Sequence, residues 1–191
     1  MIYHKPPAQS PNGFALLLAL VVVSVVVSVG LTVLDLTMKQ MRLSTNSKES
    51  EIAFHAANAS LECARYLRIF QSDDMEAGTP VPMTCFGVSA GNVTPTSIVA
   101  GHAYLYSPSG FTWGTAPTQR CSLMKVLVIV SDSAATTTVS NMKTIMPGYP
   151  DNDKYCEPGG RCTVISALGY SSTCSNVGTM GTVEREVLLE L

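Results

Sequence analysis

Charged side chains are absent from Phe14 to Leu34, and within that run only Ser24, Ser28 and Thr32 are polar. Their hydroxyls can donate to carbonyls one turn earlier, so they cost little in an apolar medium. As a helix, the run covers roughly 31 Å, about the thickness of a bilayer's hydrocarbon core. Buried strands and core helices of this composition are normally much shorter. The pattern therefore predicts a membrane-spanning helix. Nothing stops it at Leu34: Asp35-Leu36-Thr37-Met38-Lys39-Gln40-Met41-Arg42 contains neither Pro nor Gly. Further on, Ile52, Ala56, Ala59, Cys63, Leu67 and Phe70 recur at steps of three or four. Ala53, Ala57, Leu61 and Ala64 widen this helical stripe, and Glu49, Glu51, Glu62, Arg65 and Arg68 fall largely outside it. The expectation is one helix from about Phe14 to Phe70, roughly 85 Å long, apolar all round at first and amphipathic later. Its weakest point is Ser44-Thr45-Asn46-Ser47, where side chains compete for backbone bonds. Asp73-Asp74 and Gly78-Thr79-Pro80 close it.

Beyond the helix, Gly, Pro, Ser and Thr dominate from Gly78 to Gly101, and short β-branched runs begin. Strands are predicted at Ile98-Val99-Ala100 and Ala103–Tyr106, with a turn at Ser107-Pro108-Ser109-Gly110. Cys121–Val130 is the strongest strand, apolar at nearly every position toward its end and so central in its sheet. Thr136–Val139 and Met142–Met146 read as one or two weaker strands, 147–153 as a loop, and Arg161–Gly169 and Thr182–Leu191 as the last two strands. In the final strand Val183, Arg185, Val187, Leu189 and Leu191 share a face, with Glu184, Glu186 and Glu190 mostly opposite. A helix with a stripe to bury, followed only by strands, gives an α+β fold with the helix packed on an antiparallel sheet.

The chain has 191 residues and a net charge of −2, with Lys and Arg few and scattered. No broad polyanion-binding face follows, and no direct nucleic-acid site. About 157 residues remain after the span, enough for one domain with its own core. The first thirteen residues are polar and slightly basic, with Pro6, Pro7 and Pro11 opposing helix. The apolar run is too long for an ordinary secretory signal and lacks a small-residue cleavage site, so the span is expected to stay attached. Lys39, Arg42 and Lys48 just after the span favour one orientation by the positive-inside rule. Cys63, Cys85, Cys121, Cys156, Cys162 and Cys174 all follow the span and favour the other, because an even set suits disulfides in an oxidising space. Zinc and free thiols are the competing readings, but no Cys-x-x-Cys occurs. Six cysteines allow fifteen pairings, and sequence does not choose among them.

Gly13-Phe14, followed at once by a hydrophobic helix that continues into a soluble domain, resembles the amino-terminal signature of type IV pilins and pseudopilins. Ser50-Glu51-Ile52-Ala53-Phe54-His55-Ala56-Ala57-Asn58-Ala59-Ser60-Leu61-Glu62 is similar to a helix segment of minor pilins of the PilX type. The likeness covers residues 13–68. The stretch from Gly169-Tyr170 to Thr182–Val187 also resembles the closing hairpin of such proteins. The resemblance implies a leader (1–13) cut after Gly13 by a prepilin peptidase and N-methylation of Phe14. It further implies a transmembrane half-helix (14–34), an amphipathic half (35–72) and a disulfide-stapled sheet domain (73–191). It gives the helix an assembly role, with Leu18, Ala19, Gly30 and Asp35 as positions of interest. The implied partners are other pilin subunits, the prepilin peptidase, the inner-membrane pilus assembly machinery and the membrane itself. The implied location is a single-pass membrane protein with an extracytoplasmic domain, later part of a surface filament. Leu18 departs from the family, whose major pilins carry glutamate at that place to meet a neighbour's terminal amine. A buried amine without a counter-charge is costly, so the expectation is a minor or tip-located subunit. The alternative is a signal-anchored extracytoplasmic binding module or enzyme with no filament role.

Candidate chemistry is sparse. Gly87-Val88-Ser89-Ala90-Gly91 matches the esterase elbow Gly-x-Ser-x-Gly, which requires a helix after it; Asn92-Val93-Thr94-Pro95 is no helix, and only His102 stands as a possible partner for Ser89. A flexible loop is the plainer reading. Asp151 and Asp153 offer oxygen ligands for calcium without EF-hand spacing, against an ordinary solvated turn. Trp113, in Phe111-Thr112-Trp113-Gly114, is a core plug or a subunit contact, and His55 is a surface residue. Asn58-Ala59-Ser60 and Asn92-Val93-Thr94 fit the glycosylation sequon. No phosphate-cradling loop, dinucleotide fingerprint or paired-carboxylate constellation is present, so no cofactor and no enzymatic activity are expected.

Overall fold

The structure is a computed structural model that describes residues 12–191. The chain divides at Thr45/Asn46 into two compact units. Helix α1 (Asn12–Phe70) begins in the first and ends in the second. In the first unit every residue from Phe14 to Thr45 is exposed, apolar or not. Ser24 and Thr32 donate their hydroxyls to the carbonyls of Val21 and Val29 at 2.8 Å. Ser28 makes no such bond. The expected weak point at 44–47 stays helical, and Thr45 turns its hydroxyl back to the carbonyl of Met41 (2.9 Å).

The second unit is α+β. After α1 come a five-residue helix α2 (Ser72–Glu76), which takes in Asp73-Asp74, and a hairpin of β1 (Val81–Cys85) and β2 (Val88–Val93). Strands β3 (Thr96–Val99), β4 (Ala103–Tyr106), β5 (Phe111–Trp113) and β6 (Arg120–Val130) follow. Then come β7 (Thr137–Ser140), a short helix α3 (Met142–Ile145), β8 (Asp153–Cys156), β9 (Arg161–Tyr170) and β10 (Glu184–Glu190). The main sheet is antiparallel throughout, ordered β10-β9-β6-β4-β3, and the long β6 also pairs with β5 near its start.

Burial on both sheet faces explains why β6 reads as a continuous apolar run. Met124, Val126 and Val128 join Ile165 and Ala167 against Leu61, Ala64 and Leu67 of α1. Leu127, Ile129 and Val164 face the opposite way, under a cover formed by Val139, Met142, Met146, Tyr149 and Cys156. That cover corrects the expectation of a strand at Met142–Met146. Asn141, at φ 62°, leaves the β7–β8 ladder, and the amide of Met146 returns to the carbonyl of Met142 at 2.7 Å. Both buried methionines stand one helical turn apart. Lys125, from β6, donates its ammonium to the Ile145 carbonyl at the end of this turn (2.8 Å).

The stripe on α1 also differs in phase from the sequence expectation. Ala53, Ala56, Ala57, Ser60, Leu61, Ala64 and Leu67 are buried, whereas Phe70 is 69 % exposed. Small side chains at the centre let the helix backbone sit directly on β9. A Cβ added to Gly169 would overlap the carbonyl oxygen of Ala53 and the amide nitrogen of Ala57. Two hydrogen bonds use the closeness: Ser122 donates to the Ala56 carbonyl at 2.9 Å, and Ser60 to the Leu123 carbonyl at 3.2 Å.

Gly169→Ala is expected to destabilise the second unit by about 3 kcal/mol, the upper range for an overpacked contact that must move backbone. Gly30→Ala, where an added Cβ meets nothing within 4 Å, should leave the midpoint unchanged. Urea unfolding of the two variants checks the difference.

Candidate functional site

The sequence-predicted site residues fall into two groups that the structure treats differently. Those on early α1 from Phe14 onward are exposed. Gly13 lies in the first turn, Phe14 is 74 % exposed, and Leu18 and Ala19 project from the same bare helix. A Cβ added to Gly30 would meet nothing within 4 Å beyond its own helix backbone. Asp35 forms an exposed ion pair with Lys39 at 2.8 Å. Most of the leader, residues 1–11, lies outside the described residues. By length and composition α1 is apolar enough to cross a membrane, and none of its most hydrophobic window is buried.

The cysteines form three disulfides: Cys63–Cys85, Cys121–Cys174 and Cys156–Cys162. The first ties α1 to the β1–β2 hairpin, so one staple begins on the helix and not within the sheet domain. The second ties β6 to the turn at Cys174–Asn176. The third ties the β7–α3–β8 cover to β9.

Trp113 joins an aromatic group. Its ring stacks on Phe86 with centroids 4.9 Å apart, and Phe86 meets Phe111 edge-on. The indole N–H donates to the Ser122 hydroxyl at 2.9 Å, and that hydroxyl is the one bonded to Ala56. Trp113 therefore braces the helix seat. Phe86 and Gly87 make the β1–β2 turn with φ of 58° and 75°, and the bulky first residue is held there by its ring contacts.

Other motifs are absorbed by structure. Ser89 stands within β2 and accepts a hydrogen bond from the amide of Gly91 at 3.1 Å, so no strand-to-helix elbow forms. His102 contacts the Val130 carbonyl through Nδ1 (3.3 Å) and approaches Asp132 through Nε2 (3.8 Å). His55 lies exposed beside Glu51 on α1. Asp151 is exposed in its loop and Asp153 begins β8; no cluster of three metal-ligating side chains occurs among the described residues. In the first sequon Ser60 is buried and bonded, and in the second Asn92 is exposed near the end of β2.

Sequence reasoning missed a charged clasp. Arg68, near the end of α1, donates to Glu76 at 2.5 Å and to the Thr163 hydroxyl at 2.9 Å, and Arg161 reaches the other Glu76 oxygen at 2.7 Å. The Arg68 and Glu76 side chains are each only 11 % exposed. The partners come from α1, α2 and β9, far apart in sequence, and no local spacing signals them. Nearby, the Tyr106 phenol donates to the Thr79 carbonyl (2.9 Å).

Tyr106 is pushed up to about 12 by burial first, and Tyr170 to about 12 by burial and then its hydrogen bond to Glu184. Lys154 first, and then Tyr149, hold the Glu190 carboxyl below its usual range.

Glu76→Gln leaves Arg68 without its charged partner and should cost about 3 kcal/mol, read as a lowered urea midpoint. The raised phenols give a pH signature. The folded chain holds these protons longer than the unfolded one, so their contribution is full below about pH 10 and is lost as pH rises through about 12. Urea midpoints taken from pH 9 to 12 should fall across that window, and Tyr106→Phe should flatten part of the fall. Comparison of the chain with protein-family models, with curated proteins and with solved structures finds no match in any of the three.

Proposed function

We propose that the chain is a minor type IV pilin-like structural subunit, cleaved after Gly13 and incorporated in, or priming, a pilus or pseudopilus. The observation that carries this reading is the bare apolar surface of α1. Exposed large hydrophobics run from Phe14 to Leu43, about 45 Å along the helix against about 30 Å of hydrocarbon. A lone membrane anchor would leave the last turns, with Leu36, Met38, Met41 and Leu43, uncovered. Neighbouring helices would cover them, and exchange of lipid for such a bundle is feasible because both surroundings are apolar.

Supporting this are the α+β architecture, with the later turns of α1 packed on an antiparallel sheet, and three disulfides, which suit an oxidising space outside the cytoplasm. Leu18, in place of the family's glutamate, sets the chain apart from a bulk subunit. The domain and its loops then select which subunits or surfaces are touched. In this reading the chain works by packing and carries no catalytic site.

Mass spectrometry of protein from cells with an active prepilin peptidase should find a chain that begins at methylated Phe14. Gly13→Leu should block that processing, while Gly13→Ala acts as a mild control. A retained Met1 terminus in such cells sinks the proposal in favour of a signal-anchored protein.

A further inference from the structure

The β1–β2 hairpin is a two-stranded sheet of its own, and its turn carries an aromatic side chain in an unusual place. Phe86 stands at φ 58°, where a bulky side chain crowds the backbone and Gly or Asn would turn the chain freely. Its ring stacks on Trp113 at an interplanar angle of 27° and meets Phe111 edge-on. Even so, Phe86 is 37 % exposed and Val88 beside it 36 %. Packing occupies one face and an edge of the ring, and the remaining surface is held toward solvent by a conformation that is costly for this residue type.

The surroundings narrow the ligand. Residues 81–93 and 107–124, which build this corner, contain no acid, and Arg120 is their only charged side chain. Arg120 lies directly opposite Trp113 in the β5–β6 register, which sets both side chains on one sheet face. Its guanidinium donates to the Gln119 carbonyl at 2.9 Å and meets no carboxylate among the described residues. On α1, Glu62, next to the Cys63 that is bonded to Cys85, is turned to Arg65 at 4.0 Å. Exposed neutral hydroxyls lie on the same segments: Thr84 and Ser89 on the hairpin, Thr115 and Thr118 on the loop after Trp113.

An aromatic face is electron-rich and attracts polarised C–H groups. A pyranose offers such groups on one face and hydroxyls around its rim, for which uncharged polar side chains are partners. An arginine without a carboxylate adds a place for an acid, which its planar fork can hold by two parallel N–H bonds. A nucleic acid would also stack on the rings, but neutralising its phosphates takes several cations along a groove, and this corner has one.

We propose that the Phe86–Trp113 corner is a binding site for an acidic saccharide, with the sugar ring on the open face of Phe86 and the carboxylate on Arg120. The site lies within the second unit and does not rest on the reading of the chain as a filament subunit.

Trp113 is the chain's only tryptophan, so its fluorescence reports on the corner in the full chain. The protein is held in a polyoxyethylene detergent, which brings no sugar of its own. Sialyllactose and trigalacturonate, whose carboxylates sit on different sugar rings, are titrated beside neutral lactose and beside acetate. At least one acidic saccharide should give a saturable change, with an affinity about fivefold or more above lactose, and acetate should give none. Arg120→Gln should remove the preference over lactose. Phe86→Leu, which keeps apolar bulk without an aromatic face, should weaken binding about tenfold, and Phe86→Tyr should keep it. Urea midpoints report the folding of each variant, and if Phe86→Leu is unfolded, Arg120→Gln decides alone. No saturable change with either acidic saccharide, equal affinity for lactose, or binding unaltered in the folded variants overturns the proposal. So does a fluorescence shift that follows protein concentration without sugar, which makes the corner a contact between copies. A tighter response to a thymidine oligonucleotide overturns it as well, in favour of base stacking.

Discussion

The close seat of α1 on β9 is the constraint on which the second unit depends. Alanines at 53, 56 and 57 remove side-chain bulk from the helix, and Gly169 removes it from the strand, so two backbones meet with nothing between them. Only at that separation do the hydroxyls of Ser122 and Ser60 bridge helix and sheet. The rest of the interface fans out from this point. Larger residues, Leu61 and Leu67, fill the widening gap toward the helix end, where Arg68 is gripped by Glu76 and Thr163. Trp113 donates its indole N–H to the same Ser122 hydroxyl.

One helix thus presents two kinds of surface. In its later turns, small residues make a dry, close contact with the chain's own sheet. In its early turns, Leu and Val project freely, and a scatter of hydroxyls bonds back to the helix itself. The first surface is satisfied within the protein. The second is satisfied only by lipid or by other apolar helices, and a surface longer than a bilayer is thick favours the latter for its last turns. The functional reading depends on that contrast.

Much of this was legible in the sequence. The uncharged run gave an apolar helix long enough to cross a bilayer, the unbroken continuation gave one helix, and the apolar density of 121–130 gave a strand central in its sheet. What was not legible has physical causes. Met142 and Met146 recur at helical spacing, but so short a segment is too brief for periodicity to speak. The β1–β2 hairpin hid in a Gly/Ser/Thr-rich stretch because its turn is Phe86-Gly87, a pair without the usual Asn or Asp signal. The stripe on α1 was placed slightly off phase because Phe70 looked like a core residue, while Ser60, polar by type, is buried through its bond to Leu123. The Arg68–Glu76–Arg161 clasp and the cysteine pairing are long-range facts, set by the fold and invisible to local pattern.

The Cys63–Cys85 bond has a mechanical meaning. In the proposed role of a filament subunit the chain would be loaded lengthwise, and a pull entering through α1 would first be resisted in shear by the alanine seat on β9. Packed surfaces of that kind slide or peel when the force is sustained. Two to three turns further on, however, the helix is joined covalently to the β1–β2 hairpin, whose inward residues Val81 and Met83 are sunk in the core. Tension that overcame the seat would therefore be handed to a covalent tether at Cys63, before the last two turns of the helix and the backbone beyond Phe70 could unravel.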